Sequence, residues 1–347
     1  MNSFERFNGR RSGKGSQVAI LAHGFGTDQT AWRALRPWFE ARYDVVSFDL
    51  AGCGSNGADT YDFDRHGSLF GYADDLLEIM DDLALRDCVY VGHSMSGMIG
   101  AVAAVARPEL FDRLVTVGAS PRYLDDTGYT GGFQAADLEN LFDSMSANYQ
   151  AWVAGFAPMV VGVDNGQVVA DFSRTLFQMR PDIALNTSRT IFNSDMRSLA
   201  AQLTRPVHVI QTAVDMAVPV QVGHWLEAAI PTATLDIIDA EGHLPHMTAP
   251  DEVVRILEHR LAGNVALALP TATPSPACAI SPSSLPVRIW SWRWRSKPMA
   301  GRAGPLRSRP RLFPDSAWPV AASWSTAGRA NPWLPPDSAC PRPCCMD

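Results

Sequence analysis

The stretch C-V-Y-V-G-H-S-M-S-G-M-I-G, Cys88 to Gly100, joins two structural signals at one corner. An apolar run of strand length breaks at Gly92, and a run of small residues suited to a close-packed helix begins directly after it. Ser94 falls between them. A strand-to-helix turn this tight holds its central residue at strained backbone angles, and it closes only if the residues two positions to either side are small. Gly92 and Ser96 meet that need. The usual pattern is G-x-S-x-G, so Ser96 departs from it by one residue, with Gly97 one step later. Such a turn exposes a hydroxyl at the head of a helix and aims the N–H of Met95 at whatever bonds to it. A serine in an ordinary strand-helix loop would look the same locally, so the rest of the chain has to decide.

A serine hydroxyl is a poor nucleophile until a base takes its proton, which demands a histidine oriented by a carboxylate. Both follow in chain order. After the apolar run V-H-V-I-Q-T from Val207 comes A-V-D-M-A-V-P, which puts Asp215 just past a strand end. After L-D-I-I-D from Leu235 comes A-E-G-H-L-P-H, which puts His243 in the next such loop. Ser94, Asp215, His243 is the order of an α/β-hydrolase triad. Three rivals are weaker: His93 reads as a packed core histidine pointing away from the corner, His246 lies further from its strand than His243, and Asp239 belongs to the same strand-loop unit as His243. An oxyanion hole completes the set. In L-A-H-G-F-G-T-D-Q-T-A-W the glycines at 24 and 26 let the backbone N–H of Phe25 approach a substrate oxygen beside that of Met95.

Outward from these loops, apolar runs recur at Val18, Asp44, Cys88, Leu114, Val207 and Leu235. Helical spacing separates the early ones, with Trp32, Leu35 and Trp38-Phe39 in one segment and Tyr72, Leu76-Leu77, Met80 and Leu83 in another. The alternation predicts an α/β fold with a mostly parallel sheet covered by helices on both faces. It stops between about residues 120 and 196, where the sequence turns helical and aromatic: Leu138, Leu141-Phe142 and Met145, then Tyr149, Trp152 and Phe156, then Phe172 and Leu176-Phe177, then Ile191-Phe192. An insertion of this length is too long for a loop and predicts a helical cap over the sheet's C-terminal edge, where open α/β sheets bind ligands.

Composition divides the chain once more. The 347 residues carry a formal charge of −7, and the segment from Ala266 onward holds ten of the 29 basic residues but three of the 36 acidic ones, so the first 265 residues carry −14. An acidic body disfavours nucleic acid as a partner. Six cysteines, with Cys53 and Cys88 alone in the body, make no disulfide framework, and neither a signal peptide nor a membrane span is legible, so a reducing cytoplasmic setting is expected. Residues 1–265 are expected to form the catalytic domain. Residues 266–347, rich in Pro, Arg and Trp and without helix or strand period, are expected to be a disordered tail, native or an out-of-frame product of GC-rich coding sequence. Extended, R-I-W-S-W-R-W-R would set Trp290, Trp292 and Trp294 on one side as an interfacial or stacking segment.

With these residues in hand, the body resembles the small α/β-hydrolases of the RsbQ type, bacterial stress-signalling proteins related to the plant karrikin and strigolactone receptors. The resemblance runs through H-G-F-G-T-D-Q-T-A-W, F-D-L-A-G-C-G, Y-V-G-H-S-M-S-G-M-I-G, R-P-E-L-F, G-A-S-P-R-Y-L-D-D, Y-T-G-G-F, F-S-R-T-L-F-Q-M-R-P-D-I-A-L, D-M-A-V-P-V and E-G-H-L-P-H-M, covering nearly all of residues 16–262. It implies Ser94, Asp215 and His243 as the triad, Phe25 and Met95 as oxyanion donors, and Phe25, Phe133, Trp152, Phe156, Phe172 and Phe192 as pocket walls under a four-helix cap. Serine for glycine at 96 occurs in that family. Two features depart from it: the segment before Val18 has room for about one edge strand where relatives have two, and the tail has no counterpart.

The expected activity is hydrolysis of a small apolar ester or lactone with no metal or other cofactor; a serine nucleophile argues against the dehalogenases and epoxide hydrolases of this fold, which use a carboxylate. The alternative is a ligand receptor with slow turnover that engages a signalling protein partner. The triad and pocket serve either role.

Overall fold

The computed structural model describes residues 1–55 and 57–261 of the chain. The expected tail, including its tryptophan-rich segment, lies outside the described residues. Seven strands form one sheet in the order β1-β3-β2-β4-β5-β6-β7. They are β1 (Arg10–Gly13), β2 (Val18–Ala22), β3 (Asp44–Phe48), β4 (Cys88–His93), β5 (Phe111–Val117), β6 (Val207–Val214) and β7 (Ala233–Glu241). Only β1 runs antiparallel, against β3, while every other pairing is parallel. The sequence marks the six parallel strands by apolar runs. It marks β1 only by the room before Val18, because R-R-S-G has no apolar face and becomes a strand through its ladder to β3.

The longer helices are α1 (Leu69–Asp82), α2 (Met95–Ala106), α3 (Ala135–Ala147), α4 (Tyr149–Val161), α5 (Gly166–Gln178), α6 (Pro181–Phe192), α7 (Val220–Ala229) and α8 (Pro250–Leu261). Because strand side chains alternate faces, neighbouring residues of one strand enter different cores. Ile20, Val46, Tyr90 and Leu114 pack with Leu76 and Met80 of α1 and Ile99 of α2. Ala19, Leu21, Val45, Val89, Val91 and Val115 pack on the opposite face with Trp32, Phe39 and, from α8, Val253 and Leu257. Each fully buried aliphatic side chain stabilises the fold by about 1.5–3 kcal/mol, so a charge at Val91, wholly buried in β4, would break the core.

The helix expected across Trp32 to Phe39 is broken in two, a 3-10 turn over Gln29–Trp32 and a short helix over Arg36–Glu40. Pro37 explains the break, since its missing N–H is tolerated in a first turn and not in a helix interior. The cap is α3 to α6, inserted between β5 and β6. Side chains of Asn148 and Asn165 cap α4 and α5, and Pro181 starts α6. Of the residues read as its apolar face, Phe177 is 49% exposed and stands outside the packing.

Candidate functional site

The site is built from four loops at the C-terminal ends of β2, β4, β6 and β7. Ser94, between β4 and α2, sits at φ 53° and ψ −122°, a region that a non-glycine residue occupies only under strain. The turn closes because a Cβ at Gly92 would lie 2.6 Å from the Ser96 carbonyl, and Ser94 N–H is anchored on Val117 O at 2.8 Å. Helix α2 then packs tightly on the sheet, its Gly100 against the Tyr90 ring. A serine before a helix ordinarily caps it, yet Ser94 makes no side-chain cap bond.

Its hydroxyl faces His243 instead, with Oγ 2.8 Å from Nε2. On the other side of the ring, Nδ1 lies 2.7 Å from Oδ2 of Asp215, whose side chain is fully buried. A carboxylate only accepts, so Nδ1–H donates to Asp215 and Nε2 is left to accept from Ser94 Oγ–H. Asp215 Oδ1 is fixed in turn by the N–H groups of Ala217 and Val218, at 2.8 and 3.1 Å.

The rivals hold other positions, and of the three only His93 borders the pocket over Ser94. Asp239 is exposed on β7. His246 is fully buried, packed at a tilt between Trp32 and His93 at centroid distances of 4.6 and 4.4 Å, and burial pushes its imidazole down to about 3. His93 is a buried core residue whose imidazole is held well below its usual range by burial, and its Nε2 lies 2.8 Å from the carbonyl of His243. Donation from Nε2–H to that carbonyl ties the residue before Ser94 to the loop that carries His243. Residue spacing carries no sign of this link.

Above Ser94 and His243 is an apolar cavity. Phe25, Phe133, Phe156, Phe172 and Phe192 line it, as do Leu141, Val160, Ile191 and Met216. Trp152 is the exception among the expected walls: it is not part of the lining and stacks behind Phe156 at 4.5 Å, with Tyr149 on its other side at 5.6 Å. Tyr123, which no periodicity in its loop singles out, also lines the cavity, with its phenol oxygen 3.5 Å from Ser94 Oγ. Burial pushes that phenol up, so it stays protonated and able to donate.

The cap is bonded to the site loops. Thr175 of α5 donates to Gly26 O at 2.6 Å, and the N–H of His243 donates to Val160 O of α4 at 2.8 Å. At the β2 exit, Leu50 N–H donates to His23 Nε2 at 2.9 Å, so Nδ1 carries the proton and donates to Gly24 O at 2.8 Å. Thr27 Oγ1–H donates to the same oxygen at 2.8 Å.

A parallel sheet with one antiparallel edge, a serine on a strained strand-helix corner and a cap inserted before the sixth strand define an α/β-hydrolase. The chain belongs to the alpha/beta hydrolase family, whose model matches residues 19–256. It is 48% identical over 261 residues to strigolactone esterase D14 of Arabidopsis thaliana, spanning 75% of this chain and 98% of that protein. To karrikin insensitive 2 receptor CA of Petunia hybrida it is 46% identical over 265 residues, spanning 76% and 98% of the two chains. The structure of a hydrolase from Oleispira antarctica superposes with a TM-score of 0.73 at 32% identity, covering 76% of this chain and 97% of the other. Among the described residues no helix is long and apolar enough to cross a membrane.

Proposed function

We propose that the protein is a serine hydrolase of small apolar esters or lactones, with Ser94 as nucleophile, His243 as base and Asp215 orienting it. The observation that carries this reading is the continuous pair of contacts, Ser94 Oγ to His243 Nε2 at 2.8 Å and His243 Nδ1 to Asp215 Oδ2 at 2.7 Å, at the floor of an apolar cavity. His243 takes the Ser94 proton as Oγ bonds to the acyl carbon, and the N–H groups of Phe25 and Met95 hold the oxyanion. Collapse of the tetrahedral intermediate expels the alcohol, which receives the proton from His243. Water, deprotonated by the same imidazole, then releases the acid and frees Ser94.

A second reading, a receptor of the stress-signalling type with slow turnover and a protein partner, has its own observation. The N–H of His243 is bonded to the cap through Val160 O, so a displacement of His243 on acylation of Ser94 or on ligand binding is passed to α4. Similarity to a strigolactone esterase and to a karrikin-insensitive receptor agrees with either role.

The test is intact-mass analysis of the wild type and Ser94→Ala after incubation with short esters and butenolide-type lactones. An acyl adduct on the wild type alone, with hydrolysis in the variant reduced to the residual ~10³–10⁴-fold over water that binding and an oxyanion hole supply, supports the reading. Unchanged turnover in pure Ser94→Ala removes Ser94 from the mechanism. The lifetime of the adduct separates the two roles: rapid release marks an enzyme, and persistence with a shifted melting temperature marks a sensor.

A further inference from the structure

Ser96, the residue that breaks the G-x-S-x-G pattern, is fully buried, and its hydroxyl does not serve its own helix. It donates across to the carbonyl oxygen of His23, 2.5 Å away at the exit of β2. Its own carbonyl is held by Tyr90 O–H at 2.8 Å, and a Cβ at Gly92 would press on it at 2.6 Å. The first turn of α2 is therefore pinned from below and tied sideways to the neighbouring strand end.

What lies at each end of that tie gives it meaning. On the α2 side, Ser96 directly follows Met95. On the β2 side, His23 is two residues before Phe25. The peptide between Gly24 and Phe25 is trans, since no cis bond occurs among the described residues. Its N–H therefore points away from the Gly24 oxygen, which His23 Nδ1–H and Thr27 Oγ1–H both hold at 2.8 Å. The orientation of Phe25 N–H is thus fixed within its own loop. Its separation from Met95 N–H depends on how the two loops are joined, and the Ser96 hydroxyl joins them directly. Glycine at 96 would remove that tie, and the nearest remaining link is the β2–β4 ladder, which ends at Ala22 and Gly92.

We infer that Ser96 is a positioning residue that sets the spacing of the two oxyanion donors, Phe25 N–H and Met95 N–H, through its hydrogen bond to the His23 carbonyl. This rests on the serine-hydrolase reading above. It carries a consequence opposite to the one the usual pattern would imply: restoring glycine at this position weakens catalysis. Oxyanion donors act by preorganisation, so a small change in their spacing costs transition-state binding more than substrate binding.

The experiment compares wild type, Ser96→Gly, Ser96→Ala, Ser96→Thr and Ser94→Ala. Each is assayed for hydrolysis of p-nitrophenyl acetate, inhibition by phenylboronic acid as a tetrahedral mimic, kcat against pH, and melting temperature. The expected result for Ser96→Gly and Ser96→Ala is a kcat lower by about tenfold or more at unchanged KM, a comparable loss of boronate affinity, and an unshifted pH profile. Ser96→Thr, which keeps the hydroxyl, restores most of both. If Gly and Ala variants keep kcat and boronate affinity while only the melting temperature falls, the hydroxyl is structural and the inference is overturned. A threonine variant as impaired as alanine overturns it as well. Ser94→Ala separates the levels: wild-type turnover there brings down the hydrolase reading itself, whereas loss there with Ser96→Ala unaffected brings down only the role of Ser96.

Discussion

The backbone N–H of His243 donates to the carbonyl of Val160 across 2.8 Å, joining the residue that bears the imidazole to the last turn of a cap helix. His93 donates to the carbonyl of the same residue at 2.8 Å, and Asp215 accepts from its ring at 2.7 Å. Three elements therefore fix His243, from the cap, from the strand before the corner and from the β6 exit. The loop comes this close to the cap only because Gly242 has no side chain: its φ is +93°, and a Cβ there would lie 1.9 Å from Val161 O.

Gly242→Ala is accordingly expected to displace His243 more than it unfolds the protein. Misplacement of a reacting group by ~1 Å can cost ~10²-fold, so kcat on a short activated ester should fall by about that factor, accompanied by a lower melting temperature. Steady-state kinetics alongside thermal melts check this. A variant with altered melting and unchanged kcat would show that the loop relaxes without moving His243.

The small-residue corner singled out Ser94, and chain order past two apolar runs singled out Asp215 and His243, because strand ends converge at one edge of a parallel sheet. The same logic could not find Tyr123, which sits in a loop without period yet lies 3.5 Å from Ser94 Oγ. Nor could it place Trp152, since helical spacing marks a buried face and not which layer of that face meets the cavity. Arg10–Gly13 is a strand through pairing with β3 alone. Pro37 was visible and its effect general, but the apolar spacing around it masked the break.

The layering in the cap makes Phe156 and Trp152 separable. Phe156 lines the cavity, while Trp152 stacks behind it at 4.5 Å. Phe156→Ala should weaken binding of a small apolar lactone by about 1–3 kcal/mol through lost contact area. Trp152→Ala should lower stability by about 3–5 kcal/mol, as a truncated buried tryptophan does, with ligand affinity following only as far as Phe156 loses its support. Ligand-induced melting shifts and denaturant titrations of both variants read the two effects. A loss of affinity from Trp152→Ala at full stability would mean that the tryptophan reaches the ligand.

Truncation after residue 265 is expected to leave melting temperature and ester hydrolysis unchanged. Residues 266–347 carry neither the helical nor the strand period of a packed element. Thermal melts and kinetics of the shortened chain measure it directly. A clear fall in either would assign the tail a role on the body.

His246 makes a prediction about acid stability. Its ring is fully buried between Trp32 and His93, neither nitrogen has a hydrogen-bond partner among the described residues, and burial pushes its pKa down to about 3. In the unfolded chain the same imidazole titrates near ~6.5. Above ~6.5 it is neutral in both states and imposes no penalty. As pH falls below that value the unfolded chain binds a proton that the folded protein excludes, so stability is lost by up to ~1.4 kcal/mol per pH unit until the folded value is approached. Phenylalanine has nearly the shape of the ring and no proton to bind. His246→Phe should therefore match the wild type near neutral pH and exceed its stability by a margin that widens from about pH 6.5 to pH 4. The other imidazoles that burial pushes down, His23, His93 and His208, are common to both proteins and largely cancel in the difference. Ester hydrolysis at neutral pH should persist, since His246 touches neither Ser94 nor the cavity. Urea titrations across that pH range decide the matter: a stability difference that stays flat with pH would show that burial does not keep this imidazole neutral.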